Sequence, residues 1–449
     1  MTCWLEDLVD RLPGRVLTDP TSTDAYRHDQ CLVAEAGTPA AVVRADSTED
    51  VVAVLTIAHQ ATVPVVTRGA GTGLAGAANA IEGGIVLDVS RMTSLTIDPV
   101  GRTATVGPGV LNGDLDAAAR SHGLCYAPDP GSRAISSIGG NLATNAGGMC
   151  CAKYGVTADH ALELTVVLPG GEVVRIGRTT RKDVTGLDLT RLIVGSEGTL
   201  GVIVEATARL LPAPARTATA ALTFPDVATA IEAVLAITAR STPCAVELMD
   251  ATTVHAVNAM TQMGLDEVPT LLVQSDVADP GPEIVMIASI AREHGAIDAM
   301  HTDDEAEGTA LMEARRVALT ALERLGTTLL DDVCVPVHRL PELQAGIERA
   351  AATHDLVVGS FGHAADGNLH PTIIYDAADP GARERARACF DDIVAAALDL
   401  GGTVSGEHGI GQLKVGYVER QVGTAERALM HRIKAAFDPA GIMNPGRGY

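Results

Sequence analysis

Three glycine-rich loops within the first half of the chain restrict its possible folds more than any other feature. The first, VVTRGAGTGLAG (65–76), places Gly69, Gly71, Gly73 and Gly76 straight after a β-branched run. The second, PDPGSRAISSIGGNLATNAGG (128–148), carries Gly139-Gly140 and Gly147-Gly148, with Asn141 and Asn145 as short polar donors. The third, LIVGSEGTLGVIVEA (192–206), brackets Glu197 with Gly195, Gly198 and Gly201. Glycine lets backbone N–H groups come within hydrogen-bonding distance of an anion, and consecutive N–H groups form a nest. A single loop of this kind is more often a turn than a ligand site. The first loop is not a P-loop, because no Gly-Lys-Ser/Thr follows, and no clean helix with a later acid completes a dinucleotide fingerprint. Three such loops exceed what turns require. One extended phosphate-bearing ligand, lying across a sheet, would use them all.

The surrounding sequence supplies that sheet. Strands are expected at 40–45, 63–69, 83–90 and 103–110, and as a hairpin over 162–177 with Pro169, Gly170 and Gly171 in the turn. Helical periodicity covers 47–61, with Ser47 as N-cap, and 112–123, with Gly123 as the stop. The run RLLPAPART (209–217) reads as a boundary. Beyond it, strands alternate with long helices, the pattern of a second α+β or βαβ-type domain. The expected division is an N-terminal segment (1–38), a ligand-binding domain (39–212), a substrate or cap domain (213–400) and a C-terminal segment (401–449) that ends as a helix closed by Asp438-Pro439.

At 449 residues, the chain is long enough for two or three domains. A formal charge of −23 argues against nucleic acid and anionic lipid as partners. Aromatic residues make up only 2%, so a planar ligand would be held by backbone and aliphatic groups rather than stacking. No apolar run reaches the length of a membrane span, and the acidic start lacks the order of a signal peptide. The eight cysteines contain no C-x-x-C, so neither an iron–sulfur cluster nor a thiolate zinc site is indicated. Reduced thiols and a cytoplasmic location are expected.

A second constellation lies far downstream. In GSFGHAADGNLHPTIIYD (359–376), His363 and His370 flank Asp366-Gly367. A two-residue turn there would pair His363 with His370 and put both on one face with Asn368. The plain reading of such a hairpin is a half-exposed histidine pair. The segment GGTVSGEHGIGQLK (401–414) shifts the balance. Its glycines make a buried regular strand improbable, and adjacent side chains in a loop diverge. Glu407 would then complete a His-His-Glu set suited to Zn²⁺ or Mn²⁺, while His408 faces a substrate.

These segments, in this order, resemble the vanillyl-alcohol-oxidase-type flavoproteins, within them the group of D-lactate dehydrogenase, the glycolate oxidase FAD subunit and D-2-hydroxyglutarate dehydrogenase. The resemblance runs from about Pro39 to the C-terminus through RGAGTGLAG, SIGGNLATNAGG, KYG, GSEGTLG, GNLH, GEHGIG and NPG. It implies an α+β fold, with a two-subdomain FAD-binding domain, a cap domain with an antiparallel sheet, and a C-terminal helical segment. It also implies that the FAD pyrophosphate lies on Arg68, Gly69, Ala70, Gly71, Thr72 and Gly73. Ser137, Gly139, Asn141 and Gly148 would follow the cofactor, with Val202 and Ile203 near the adenine and Asn444 near the isoalloxazine. Thr72 stands where flavin-tethering relatives carry histidine, so the FAD is expected to be non-covalent.

By the same resemblance, His363, His370 and Glu407 hold the metal, His408 is the base and Arg315 of ALMEARRVAL binds the substrate carboxylate beside Asn368. Met312 stands where tryptophan is frequent, Val337 where a basic residue is frequent, and Leu329-Leu330 where some dicarboxylate-specific members have lysine. The last two departures favour a monocarboxylate such as lactate or glycolate. The implied activity is oxidation of a D-2-hydroxy acid, with electrons leaving to a quinone, an electron-transfer flavoprotein or an iron–sulfur subunit. A homodimer is compatible with it. The alternatives are another alcohol oxidase of the superfamily, a flavoprotein subunit of a larger complex, and a metal-dependent hydrolase that would leave the glycine loops unused.

Overall fold

The structure, a computed structural model, describes residues 3–180 and 182–449. It divides into two compact units. The first contains the described residues up to Gly147, Gly155–Ala213 and Glu407–Tyr449; the second contains Gly148–Tyr154 and Pro214–Gly406.

Besides a two-stranded pair of Leu124–Cys125 and Leu211–Pro212, the first unit is built on two larger sheets. In the smaller, Ala41–Arg44 and Val65–Arg68 lie parallel to the central Ile85–Asp88, and Val16–Leu17 adds an antiparallel edge. The first glycine loop therefore leaves the end of a strand whose Val65 and Val66 are buried. Helix Thr48–Ala61 covers this sheet, with Val51, Val54, Leu55 and Ala58 turned into the core. Its start matches the expected N-cap, for Ser47 and Asp50 form a reciprocal capping box. The larger sheet is antiparallel, in the order Leu95–Asp98, Thr103–Val106, Val202–Arg209, Ala161–Val167, Val173–Gly177. The last two strands are the hairpin read from the Pro-Gly-Gly turn.

The second unit carries an eight-stranded antiparallel sheet backed by helices. No parallel pair occurs in it among the described residues, so of the two sequence readings α+β holds and βαβ does not. At its centre, Ala245–Met249 lies between Thr270–Ser275 and Val357–His363, and the latter pairs with Asn368–Tyr375.

The hairpin register differs from the sequence expectation. His363 pairs with Asn368, and His370 lies opposite Phe361. A two-residue type I′ turn needs positive φ at both central positions. Only Gly367 has it, at +77°, so the chain turns through the longer loop Ala364–Gly367. Because opposed and alternate residues share a face, His363, Asn368 and His370 still emerge together.

Candidate active site

In the first unit the loops are tied to one another before any ligand is considered. Ser137 caps the helix Ile138–Thr144 and also accepts the Ala70 N–H at 3.2 Å, joining second loop to first. A Cβ at Gly69 would lie 2.3 Å from that hydroxyl, and one at Gly139 would lie 2.5 Å from Pro108 Cβ. Close approach, more than turn geometry, demands glycine at both positions. Asn141 Oδ1 accepts from Asn112 Nδ2 at 3.3 Å, and Val202 and Ile203 are buried on their strand. Arg68 folds beneath Gly71 and donates to His28 O at 2.9 Å, while burial lowers its pKa.

Asn444, at a left-handed φ of +42°, donates through Nδ2 to Ala77 O (2.9 Å) and Glu197 O (2.8 Å). It thereby links the residue that follows the first loop to the third loop. Its Oδ1 is buried with no hydrogen-bond partner among the described residues, as is Thr67 Oγ1. No backbone carbonyl among the described residues accepts the N–H groups of the half-buried Gly71, Thr72 and Gly73. Buried polar atoms are normally satisfied. Amides without a backbone acceptor, together with orphaned oxygens, fit an extended ligand that carries both phosphate and polar ring atoms.

The second unit holds a different cluster. The His363 and His370 side chains converge, Nε2 to Nε2, at 3.4 Å. Glu247, directly across the sheet from His363, accepts its Nδ1–H at 2.7 Å, while Asp332 Oδ1 faces His370 Nδ1 at 3.6 Å. With Nδ1 donating to Glu247, the inward nitrogen of His363 presents a lone pair. The donor set therefore fits a divalent cation, with each outer nitrogen facing a carboxylate as metal-binding histidines commonly do.

Arg315, on the helix Glu305–Arg316, is only 6% exposed, and its Nε forms an ion pair with the other Glu247 oxygen at 2.8 Å. Its guanidinium also lies 4.5 Å from the Phe361 ring centroid. Asn368 is buried, and its Oδ1 has no partner among the described residues. Asp332 further accepts from Ser405 Oγ (2.7 Å) and Gly406 N (2.9 Å), fixing the chain immediately before Glu407. Gly148, with φ of +139°, opens the short segment in which Lys153 and Tyr154 both grip Asp276.

Glu407 and His408 begin the last segment of the first unit, their side chains 3.9 Å apart. The structure thus collects the residues expected to bind the cofactor, other than Gly148, with Glu407 and His408 in one unit, and His363, His370, Asn368 and Arg315 in the other. Sequence reasoning missed Glu247 and Asp332. The missed signal was composition: AVELM and LLDDVCV set acids among apolar residues, where an unpaired buried charge would be very costly.

The fold is of the type seen in p-cresol methylhydroxylase. Residues 39–177 match the family described as FAD binding domain, and residues 213–447 match FAD linked oxidases, C-terminal domain. The chain belongs to the FAD-linked oxidase family and is an oxidoreductase. It is 39% identical to the glycolate oxidase subunit GlcD of Bacillus subtilis, over 98% of this chain and 94% of the relative. It is 34% identical to D-lactate dehydrogenase of Anaerostipes hadrus, over 99% and 96% of the two chains. Among solved structures, p-cresol methylhydroxylase with substrate bound superposes with a TM-score of 0.83 at 19% identity, over 99% of this chain and 96% of the other. At that identity the likeness concerns the fold alone.

Proposed function

We propose that the chain oxidises a D-2-hydroxy monocarboxylate to the 2-oxo acid, using non-covalent FAD and a divalent cation, Zn²⁺ or Mn²⁺. The net change removes two electrons and two protons from the α-carbon and its hydroxyl. Bound FAD supplies the two-electron acceptor, and the bound cation supplies Lewis acidity. The observation carrying this reading is the pair of converging histidine nitrogens with carboxylates at their outer faces. A flavoprotein needs no such pair to bind flavin, whereas a hydroxy acid offers two oxygens for a cation to orient.

His363, His370 and Glu407 are the proposed ligands. His408, adjacent to Glu407, takes the α-hydroxyl proton. Arg315 faces the carboxylate with its guanidinium oriented by Glu247, and Asn368 receives a substrate polar atom. Arg68 to Gly73 carry the pyrophosphate, followed by Ser137, Gly139, Asn141, Gly148, Val202, Ile203 and Asn444. Electrons leave to an external acceptor. The names of relatives such as the glycolate oxidase subunit support a partner chain in that role.

Metal removal and reconstitution test the reading. Chelator-treated protein should keep its yellow colour but lose flavin reduction by hydroxy acid, and Zn²⁺ or Mn²⁺ should restore it. Undiminished reduction in metal-free protein would remove the cation from the reaction.

A further inference from the structure

We infer that Glu197, the acid inside the third glycine loop, is the positioning residue that moors the loop carrying Glu407 and His408. The inference rests on the function proposed above, but its geometry lies wholly within the first unit. Glu197 Oε1 accepts the N–H of Ile410 at 2.6 Å and that of Gly411 at 3.1 Å, while Oε2 accepts Gly411 at 2.9 Å. One carboxylate thus engages two consecutive amides two and three residues beyond His408.

The backbone around Glu197 is committed to the same task. Its φ of +51° is left-handed, a conformation non-glycine residues rarely hold unless their surroundings enforce it. Its own N–H donates to Ala143 O at 2.8 Å, on the helix of the second loop, and its carbonyl accepts from Asn444. The moored loop is held from its other side as well, since Gln412 and Leu413 both donate to Ala75 O of the first loop. Two glycines make this fit possible. A Cβ at Gly409 would lie 2.2 Å from Glu197 Oε1, and one at Gly411 would lie 2.1 Å from Ala75 O. The three cofactor loops and the loop bearing the proposed base are therefore bonded into one piece, with Glu197 as the joint.

Glu197 is 5% exposed, and its pKa is pushed up to about 7, chiefly by burial. Asp29 raises it further, while the two loop amides and Arg447 pull it down. Lys434 and Asp438 are bonded to the neighbouring Thr199 and Met443 carbonyl or amide, and Glu407 and His408 lie on the moored loop itself. The ionised carboxylate accepts all three bonds as charge-assisted ones. The protonated acid loses that assistance, so mooring tightens as pH rises through neutrality.

The test is Glu197→Gln, which keeps size and polarity but never ionises. Anaerobic flavin reduction by a substrate that reduces the wild type is measured from pH 5.5 to pH 8.5. Taking the wild-type to variant ratio cancels any pH dependence that both proteins share. The ratio should be near one at the acid end and rise to about ten-fold or more at the alkaline end, with FAD content unchanged. A ratio that stays flat with pH, or a variant without flavin, would overturn the inference. Hydrogen exchange at the Ile410 and Gly411 amides reads the same mooring without any substrate. It should be faster in the variant at pH 8, and equal exchange overturns the inference even if no hydroxy acid proves to be a substrate. Gly409→Ala, whose added Cβ displaces the carboxylate, should show the same fast exchange.

Discussion

At the scale of residues, the account rests on a few side chains whose partners define their chemistry. His408 has a glutamate neighbour 3.9 Å away and is the base in the proposed reaction. His408→Ala should leave FAD and metal contents unchanged yet slow flavin reduction by about 10²–10⁴-fold, the usual contribution of a general base. Stopped-flow reduction measures this directly, and near-normal reduction would remove His408 from the role. Glu247 is the more unusual group, because one buried carboxylate serves both His363 and Arg315. Glu247→Ala leaves an arginine and a histidine buried without it, so metal affinity should fall roughly 10–100-fold, as for other residues supporting metal ligands. Chelator competition followed by elemental analysis checks it. The two histidines were legible from the sequence because GHAADGNLH is a compact pattern. Glu247 was not, since its partners lie across a sheet and on a distant helix.

At the scale of elements, glycine positions decide which local structures can exist. Gly367 closes the histidine hairpin with φ of +77°, and a Cβ there would lie 1.9 Å from Val335 O. Gly367→Ala should therefore cost more than the roughly 1–2 kcal/mol of a left-handed alanine alone, and should lower metal binding with it. Gly381, with φ of +87° but nothing nearer than 4.0 Å, is the control that isolates backbone strain. Denaturant midpoints of the two variants separate the terms. The elements themselves were largely readable. The capping box at Ser47 and the Pro-Gly-Gly hairpin are set by neighbours in sequence, so their signals are local. The histidine register was not, because a turn type depends on φ at Asp366 as well as Gly367, and the sequence pair Asp-Gly serves both loop lengths. The antiparallel order of the second sheet was likewise hidden, since alternating strands and helices precede either arrangement.

For the whole molecule, acidity is the dominant property. The net charge of −23 opposes compaction as carboxylates ionise. Burial also pushes Asp29 and Asp250 up to about 6 and Glu197 to about 7. Each of these groups binds its proton more tightly when folded. Its contribution to stability is therefore complete below the unfolded value near 4 and is lost as pH rises through 6–7. The first thermal transition should accordingly fall by several degrees between pH 5.5 and pH 8, and salt should restore more of it at pH 8. A midpoint rising over that interval would contradict this balance.

The most direct test of the central claim is anaerobic mixing of flavin-loaded, metal-replete protein with matched D- and L-2-hydroxy acids, followed at the flavin's visible band. The account predicts bleaching by a D-monocarboxylate, weak or absent bleaching by its L-enantiomer, and suppression by a chelator. A bound flavin that no hydroxy acid reduces would contradict it.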